Sequence, residues 1–162
     1  MRFEAEHHFG VAPSKVGAML ALPDFYTALE LPDLAPPIVL AHSTGAGEAV
    51  VRLRYEFTGN LNPIARRMLG GARLAWIQEM RISGTEGSLT FGAEKDPTLL
   101  YGSARFVLGP DAGGCVRHLV GELVVAVPGI ASMAERHVVA GLLRRLDLEA
   151  RVLDERLRGT SR

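Results

Sequence analysis

The sequence predicts an α+β fold in which a curved antiparallel sheet of seven strands wraps around one long C-terminal helix. Several segments alternate apolar and polar residues with a period of two, as strands with one buried face do. Residues 129–157 contain no proline and place apolar residues at helical spacing. Two short helical segments come directly after the first strand. This order predicts a sheet layer packed against a single long helix.

The first strand and the two short helices make up the start of the chain. The strand alternates through residues 2–9 and ends at Gly10, and its inward face carries Phe3, Ala5, His7 and Phe9. Pro13 suits the first turn of a helix, where its missing N–H costs little, and the helical pattern runs from there to Leu20. A second short helix is predicted at residues 24–31, between two prolines.

Six more strands are predicted at regular spacing, in residues 38–44, 50–59, 73–82, 88–93, 100–108 and 115–127. Residues 62–70 break the alternation and have the pattern of one or two helical turns. Residues 109–114 are rich in Gly and Pro and are predicted to form a turn. The long helix, residues 129–157, has small residues on its apolar stripe, which predicts a cavity between the helix and the sheet.

Length and composition predict a single domain and exclude several classes of protein. The 162 residues suit one domain, residues 1–158, followed by a tail at 159–162 that is expected to fray. Eighteen basic residues balance eighteen acidic ones, which argues against a nucleic-acid-binding protein. Cys115 is the only cysteine, so an internal disulfide and a cysteine zinc site are excluded. No membrane-spanning stretch or signal-peptide core is present, and a cytoplasmic location is expected.

Three segments carry a resemblance to a known family: RFEAEHHFGVAPSKVGAML at the start, VVRLRYEFTG within, and ELVVAVPGIASMAERHVVAGLLRRL near the end. In this order they resemble the START-like helix-grip superfamily, also called SRPBCC, over nearly the whole chain. That superfamily includes pollen-allergen proteins, lipid-transfer domains and polyketide cyclases. The junction at residues 127–135 is similar to a bacterial branch with no assigned function. The resemblance implies a helix-grip fold whose deep apolar pocket takes a lipid, a polyketide or another mostly apolar ligand.

The candidate ligand-binding residues lie on the predicted inward faces of the strands and of the long helix. They are His7, Phe9, His42, Tyr55, Phe57, Trp76, Gln78, Met80, Tyr101, Ala134, Val138 and Leu142. Tyrosine and tryptophan suit a pocket wall because each joins a large apolar body to one hydrogen-bond donor. Taken alone, each of Tyr55, Trp76, Gln78 and Tyr101 is more typical of an ordinary core position, whereas the set together favours convergence on one cavity. His7, Tyr55 and Gln78 are the candidates for catalysis, since polar groups in one cavity can move a proton.

The remaining polar residues are predicted to face solvent. His8 lies on the opposite face of the first strand from His7, and the pairs Arg66-Arg67 and Arg144-Arg145 have the pattern of solvated surface. The motifs of α/β-hydrolases, zinc proteases and P-loop proteins are absent. No metal ion or cofactor is therefore expected.

Three functional hypotheses follow. The first is a binding protein that holds a small, mostly apolar molecule without chemistry. The second is an enzyme of the polyketide cyclase, aromatase or hydrolase kind, in which the pocket residues orient and protonate an enolate. The third is a protein-interaction or stress-response factor. The binding protein is favoured, no nucleic-acid or integral-membrane partner is expected, and a homodimer is left open.

Overall fold

The structure is a computed structural model that describes residues 1–61, 63–71 and 73–159. Its elements follow the predicted order of one strand, two short helices, further strands and a long helix. They are β1 (Arg2–Phe9), α1 (Pro13–Leu20), α2 (Pro23–Thr27), β2 (Ile38–Gly45), β3 (Glu48–Glu56), α3 (Pro63–Met68), β4 (Ala75–Ser83), β5 (Glu86–Ala93), β6 (Leu100–Asp111), β7 (Gly114–Val125) and α4 (Ala131–Gly159).

The strands of the described residues form one seven-stranded antiparallel sheet in the order β1-β7-β6-β5-β4-β3-β2. Strands β2 to β7 are successive neighbours, whereas β1 is added at the far edge beside β7. Directly paired residues of antiparallel strands share one face of the sheet. The pairing therefore places His7 beside Arg117 and Tyr55 beside Trp76. The predicted fold class, a curved seven-stranded sheet with a long C-terminal helix, is confirmed.

Helix α4 packs across β1 and β7, and it also contacts α1. Its 29 residues span about 44 Å at 1.5 Å per residue. The apolar side chains that α4 buries lie mostly in its C-terminal half: Val139, Leu146, Ala150, Leu153 and Leu157. Two arginines in the last turn face the negative end of the helix dipole, which stabilises that end.

Helices α1 and α2 close the inner face of the sheet beside α4. Helix α1 contacts β4, β6 and β7, while α2 contacts β2. Val16, Leu20 and Phe25 on these helices are almost completely buried. They join a core whose largest fully buried side chains also include Tyr26 and Tyr55. Two of these large core residues therefore carry a polar atom.

Several of the predicted boundaries are wrong, and the largest differences lie at the ends of α2, β3 and β6. Helix α2 ends at Thr27, well before the predicted residue 31, because Ala28 caps it outside the helical conformation. The predicted turn at residues 109–114 is shorter, since β6 continues to Asp111 and β7 begins at Gly114. Gly113 has a φ of 85°, which lets a tight hairpin turn join the two strands directly.

Parts of two predictions lie outside the described residues. The predicted tail at 159–162 is one, of which the structure describes only Gly159 as the last residue of α4. Residue 62, the first of the predicted helical turns at 62–70, is the other. The described part of those turns contains α3, as predicted.

Replacement of Gly17 tests how closely α1 packs against the turn between β4 and β5. A Cβ atom added at Gly17 would lie 2.5 Å from the carbonyl oxygen of Gly84. We expect Gly17→Ala to lower the free energy of unfolding by about 1–3 kcal/mol, as overpacking does. Urea denaturation followed by circular dichroism measures the change.

Gly141→Ala is the matched control, because Gly141 also lies in a helix but has open space around its added Cβ atom. We expect this variant to raise the free energy of unfolding by about 0.5–1 kcal/mol through helix propensity. Equal stabilities of the two variants would contradict the close packing of α1.

Candidate functional site

Five polar or charged residues are buried where α4 meets the sheet and the helices beside it: His7, Gln78, Arg117, Arg145 and Glu149. They come from β1, β4, β7 and α4, which the topology brings together. A buried charge is costly unless a partner compensates it. The hydrogen-bond and charge partners of each group therefore show which of these groups are compensated and which are not.

His7 connects the interior to the surface through two hydrogen-bonded partners. Arg117 donates to His7 Nδ1 from Nη2 at 3.0 Å and from Nε at 3.3 Å, and His7 Nε2 lies 2.9 Å from Asp147 Oδ1. Arginine has donors only, so Nδ1 of His7 is the acceptor and Nε2 carries the hydrogen that is donated to Asp147. The side chain of Asp147 is 57% exposed, against 5% for His7. The bonds thus run from a buried guanidinium to a solvated carboxylate.

The surroundings of His7 keep its ring neutral. Burial is the main cause that lowers its pKa, and the charge of Arg117 lowers it further, while Asp147 opposes both. Burial also lowers the pKa of Arg117, against the attraction of Glu149. The guanidinium of Arg117 lies 5.9 Å from the ring centroids of both Phe9 and Phe106. These aromatic faces provide part of the stabilisation that a buried cation needs.

Arg145 is the centre of a second group. Its Nη2 donates to Gln78 Oε1 at 2.7 Å, and its Cζ lies 4.7 Å from the ring centroid of Tyr55. The ring of Tyr55 stacks on Trp76, with centroids 5.4 Å apart and planes 8° from parallel. Gln78 and Tyr55, both singled out from the sequence, thus meet at a residue that the sequence analysis assigned to the surface.

Several polar atoms of this second group have no hydrogen-bond partner among the described residues. They are the hydroxyl of Tyr55, Nε and Nη1 of Arg145, and Oε2 of Glu149. An unpaired buried polar atom costs about 1–3 kcal/mol. Burial raises the pKa of Tyr55 far above its ordinary value, although Arg145 opposes the shift, so the hydroxyl remains a donor. The cluster therefore presents unused donors beside one unused acceptor.

Tyr26 is buried near these groups but has its partners. Its hydroxyl donates to the carbonyl oxygen of Leu20 at 2.6 Å and lies 3.3 Å from Sδ of Met80. Burial raises its pKa well above the ordinary value. Tyr26 is thus a satisfied core residue, in contrast to Tyr55.

One face of α4 changes from apolar to charged along its length. Ala134, Val138 and Leu142 are half-buried, and Arg145 and Glu149 continue the same face as fully buried residues. Residues three or four apart lie above one another on a helix, which makes this a single stripe. The stripe presents an apolar surface that leads to the unpaired polar atoms.

The candidate residues fall into three groups by burial. His7, Phe9, Tyr55, Gln78 and Met80 are buried. Half-buried are Phe57, Trp76, Ala134, Val138 and Leu142. His42 and Tyr101 are exposed.

The inward orientation predicted for Tyr101 is wrong, whereas His42 lies on the inward face as predicted but is exposed. A bulge between Val39 and Ala41 shifts the alternation of β2, so His42 pairs with Val51 and shares its face rather than that of Ile38. His42 is nevertheless exposed, since β2 is an edge strand.

Tyr101 is 47% exposed because the inward residues of β6 have even numbers. Ala104, Phe106 and Leu108 are its buried inward residues. The aromatic ring of Tyr101 therefore lies on the outer face of the sheet, where it cannot line a pocket under α4.

The sequence analysis missed Arg117, Arg145 and Glu149. For Arg117 the signal was present, because it alternates with Cys115 and Leu119 on the inward face of β7. For the other two, the spacing from Leu142 placed them on the buried stripe of α4. Charge alone made the pair Arg144-Arg145 look solvated, which is correct for Arg144 and wrong for Arg145.

Two surface depressions, each of about 280 Å³, lie on the outer face of the sheet beside Arg2 and Glu6 respectively. Neither lies between the sheet and α4, where the sequence predicts a cavity. Within residues 1–61, 63–71 and 73–159, no group of three or more His, Cys, Asp or Glu side chains is arranged to hold a metal ion. In the same part of the chain, no helix combines the length and apolar character of a membrane span.

The neutral state of His7 predicts a pH dependence of stability. Its pKa is lowered from 6.5 in the folded protein, so the unfolded chain binds the proton more readily. We expect the contribution of His7 to stability to be complete above pH 6.5 and to decrease as the pH falls below that value. Urea denaturation between pH 5 and pH 8 measures this decrease.

His7→Asn is the matched variant, because the amide oxygen takes the place of Nδ1 as acceptor for Arg117 but does not titrate. His8 and the other titrating groups remain in both proteins. We expect the native protein to lose more stability than the variant between pH 6.5 and pH 5. An equal loss in both would contradict a lowered pKa at His7.

Comparison with solved structures identifies proteins of the same fold at low sequence identity. TTHA0849 from Thermus thermophilus is 14% identical, with a TM-score of 0.61 over the whole of both chains. Ara h 8.0201 is 12% identical, with a TM-score of 0.58 over 94% of this chain and 97% of that one. The di-domain ARO/CYC StfQ from the steffimycin biosynthetic pathway is also 12% identical, with a TM-score of 0.58 over 94% of this chain and 48% of StfQ.

These likenesses agree with the helix-grip fold that the resemblance implies. No curated protein matches the chain. The sequence profile of one protein family does match, over residues 4–157. The chain therefore belongs to the family described as "Protein of unknown function (DUF2505)".

Proposed function

We propose that this protein binds a small amphiphilic molecule beneath α4, with a polar, oxygen-bearing end beside Arg145 and a mostly apolar body. The observation that carries the proposal is the set of buried donors without partners, Nε and Nη1 of Arg145 and the hydroxyl of Tyr55. An oxygen acceptor on a ligand would satisfy donors that no described protein group satisfies.

The apolar body follows from the stripe on α4. Ala134, Val138 and Leu142 extend from Arg145 toward the N-terminus of the helix, and each is only half-buried. Half-burial leaves apolar area that a ligand can cover, at about 25 cal/mol per Å². Small-molecule sites of this kind combine apolar walls with a few placed polar groups.

The polar cluster changes what the sequence and the family resemblance suggest about the ligand. A purely apolar molecule would leave Arg145 and Tyr55 unpaired, so a polar end is required. The described cavities lie elsewhere, so we propose that the ligand enters by displacing the N-terminal half of α4, where helix burial is lowest. The similar structures contribute only the fold to this proposal.

The arrangement favours binding over the proposed catalysis by His7, Tyr55 and Gln78. His7 is engaged by Arg117 and Asp147, whereas Gln78 and Tyr55 meet at Arg145. The three side chains therefore belong to two separate groups. A cyclase-like activity would depend on Tyr55, whose raised pKa keeps its proton in place.

Val138→Trp tests the ligand site by filling it. Displacement of a fluorescent fatty-acid probe measures binding, and denaturing mass spectrometry of the purified protein identifies any retained molecule. We expect the native protein to bind the probe and Val138→Trp to bind it at least about tenfold more weakly, since the indole covers the apolar stripe.

Ala140→Trp is the control, because Ala140 lies on the same helix but is exposed. We expect its probe affinity to equal that of the native protein. If the native protein neither binds the probe nor retains a molecule, the proposal is overturned. If both tryptophan variants weaken probe binding equally, the probe does not bind at the apolar stripe of α4, and the proposal is overturned as well.

The remaining expectations from the sequence stay predictions. These are the cytoplasmic location, the absence of nucleic-acid and integral-membrane partners, the absence of a cofactor and the open question of a homodimer. The hypothesis of an interaction or stress-response factor also stays untested.

A further inference from the structure

The buried charges beneath α4 do not balance. Two buried guanidinium groups, those of Arg117 and Arg145, accompany one buried carboxylate, that of Glu149. His7 is neutral, and Asp147 is largely solvated. The described interior beneath α4 therefore carries an excess of one positive charge. Buried charges are stable where an opposite charge accompanies them.

The unpaired donors lie on Arg145. Nε and Nη2 of Arg117 donate to His7, and its guanidinium lies over two aromatic rings, whereas Nε and Nη1 of Arg145 have no partner among the described residues. Arg145 has the neutral amide of Gln78 and the ring of Tyr55. No carboxylate oxygen of the described residues lies within 4.0 Å of either buried guanidinium, and only that of Arg145 has unpaired N–H groups.

We propose that the ligand is a monoanion, an apolar carboxylic acid whose ionised oxygens bind Nε and Nη1 of Arg145 and the hydroxyl of Tyr55. This inference rests on the proposed function and adds the charge of the ligand to it. One negative charge neutralises the interior. A neutral ligand would leave Arg145 without a counter-charge, and a dianion would reverse the imbalance.

Glu149 limits the negative charge that the ligand can carry. Its Oε2 is buried and unpaired near the site, so a second negative group on the ligand would be repelled. Removal of this charge raises the positive excess from one to two. The anion preference is therefore expected to increase in Glu149→Gln and to disappear in Arg145→Gln.

The test compares matched ligands on the native protein by isothermal titration calorimetry at pH 8. The ligands are straight-chain carboxylates of six to twelve carbons and the alcohols of the same lengths. We expect the best carboxylate to bind about ten- to a hundredfold more tightly than its alcohol, the range for a charge-assisted hydrogen bond in a buried site.

Two arginine variants then test whether Arg145 causes the preference for carboxylates over alcohols. In Arg145→Gln we expect the carboxylate to bind no more than about threefold more tightly than the alcohol. Arg144→Gln is the matched control, because Arg144 is the exposed neighbour on the same helix. It removes the same charge from the surface and should keep the native ratio.

The outcomes separate the two proposals. If the native protein binds the alcohols as tightly as the carboxylates, the anion inference is overturned and the proposed function stands. If no member of either series binds, the proposed function itself is overturned. A native ratio that persists in Arg145→Gln overturns the assignment to Arg145. Because the ligand comparison uses the native protein, the charge test stands even where a variant does not fold.

Discussion

The docking of α4 on the sheet is the interaction on which the rest of the structure depends. Polar contacts tie the helix to three other segments along its length: Glu135 accepts from the backbone N–H of Val125, Asp147 accepts from His7, and Asp154 accepts from the backbone N–H of Gly10. Between these contacts the helix buries leucines and two charged residues. Because the helix is fixed at several points, the charged residues stay under it despite the cost of their burial.

The fold followed from the sequence because it rests on local patterns. Alternation in β1 and β3 and the helical spacing of α4 depend on which side chains are apolar, and these choices agree with the tertiary structure. The bulge in β2 did not follow, since nothing near Val39 marks the extra residue. The early end of α2 did not follow either, because Leu29 and Leu31 are buried outside a helix and so continue its apolar pattern.

The candidate site was predictable only in part. Gln78 and Tyr55 stand out as polar groups among apolar neighbours. This signal can be recognised for each residue from the sequence of its own strand. For Arg145 the reasoning is the opposite. Its position on the apolar stripe of α4 indicates burial, although its side chain is charged. That inference contradicts the ordinary preference of arginine for the surface, and only the tertiary position of α4, where Arg145 reaches Gln78 of β4, decides it. Positions where a residue departs from what its type and local pattern predict are the positions where functional groups are expected.

The pairing of β1 with β7 has a consequence for how the chain is made. Gly121, opposite Phe3, leaves the ribosome more than a hundred residues after that strand has emerged. Until then the apolar face of β1 has neither its neighbouring strand nor the last helix to cover it. Contacts of such long sequence separation slow folding and leave an edge strand open to association with other chains. The same topology that places His7 beside Arg117 thus leaves β1 of the nascent chain without its neighbouring strand until β7 has been synthesised.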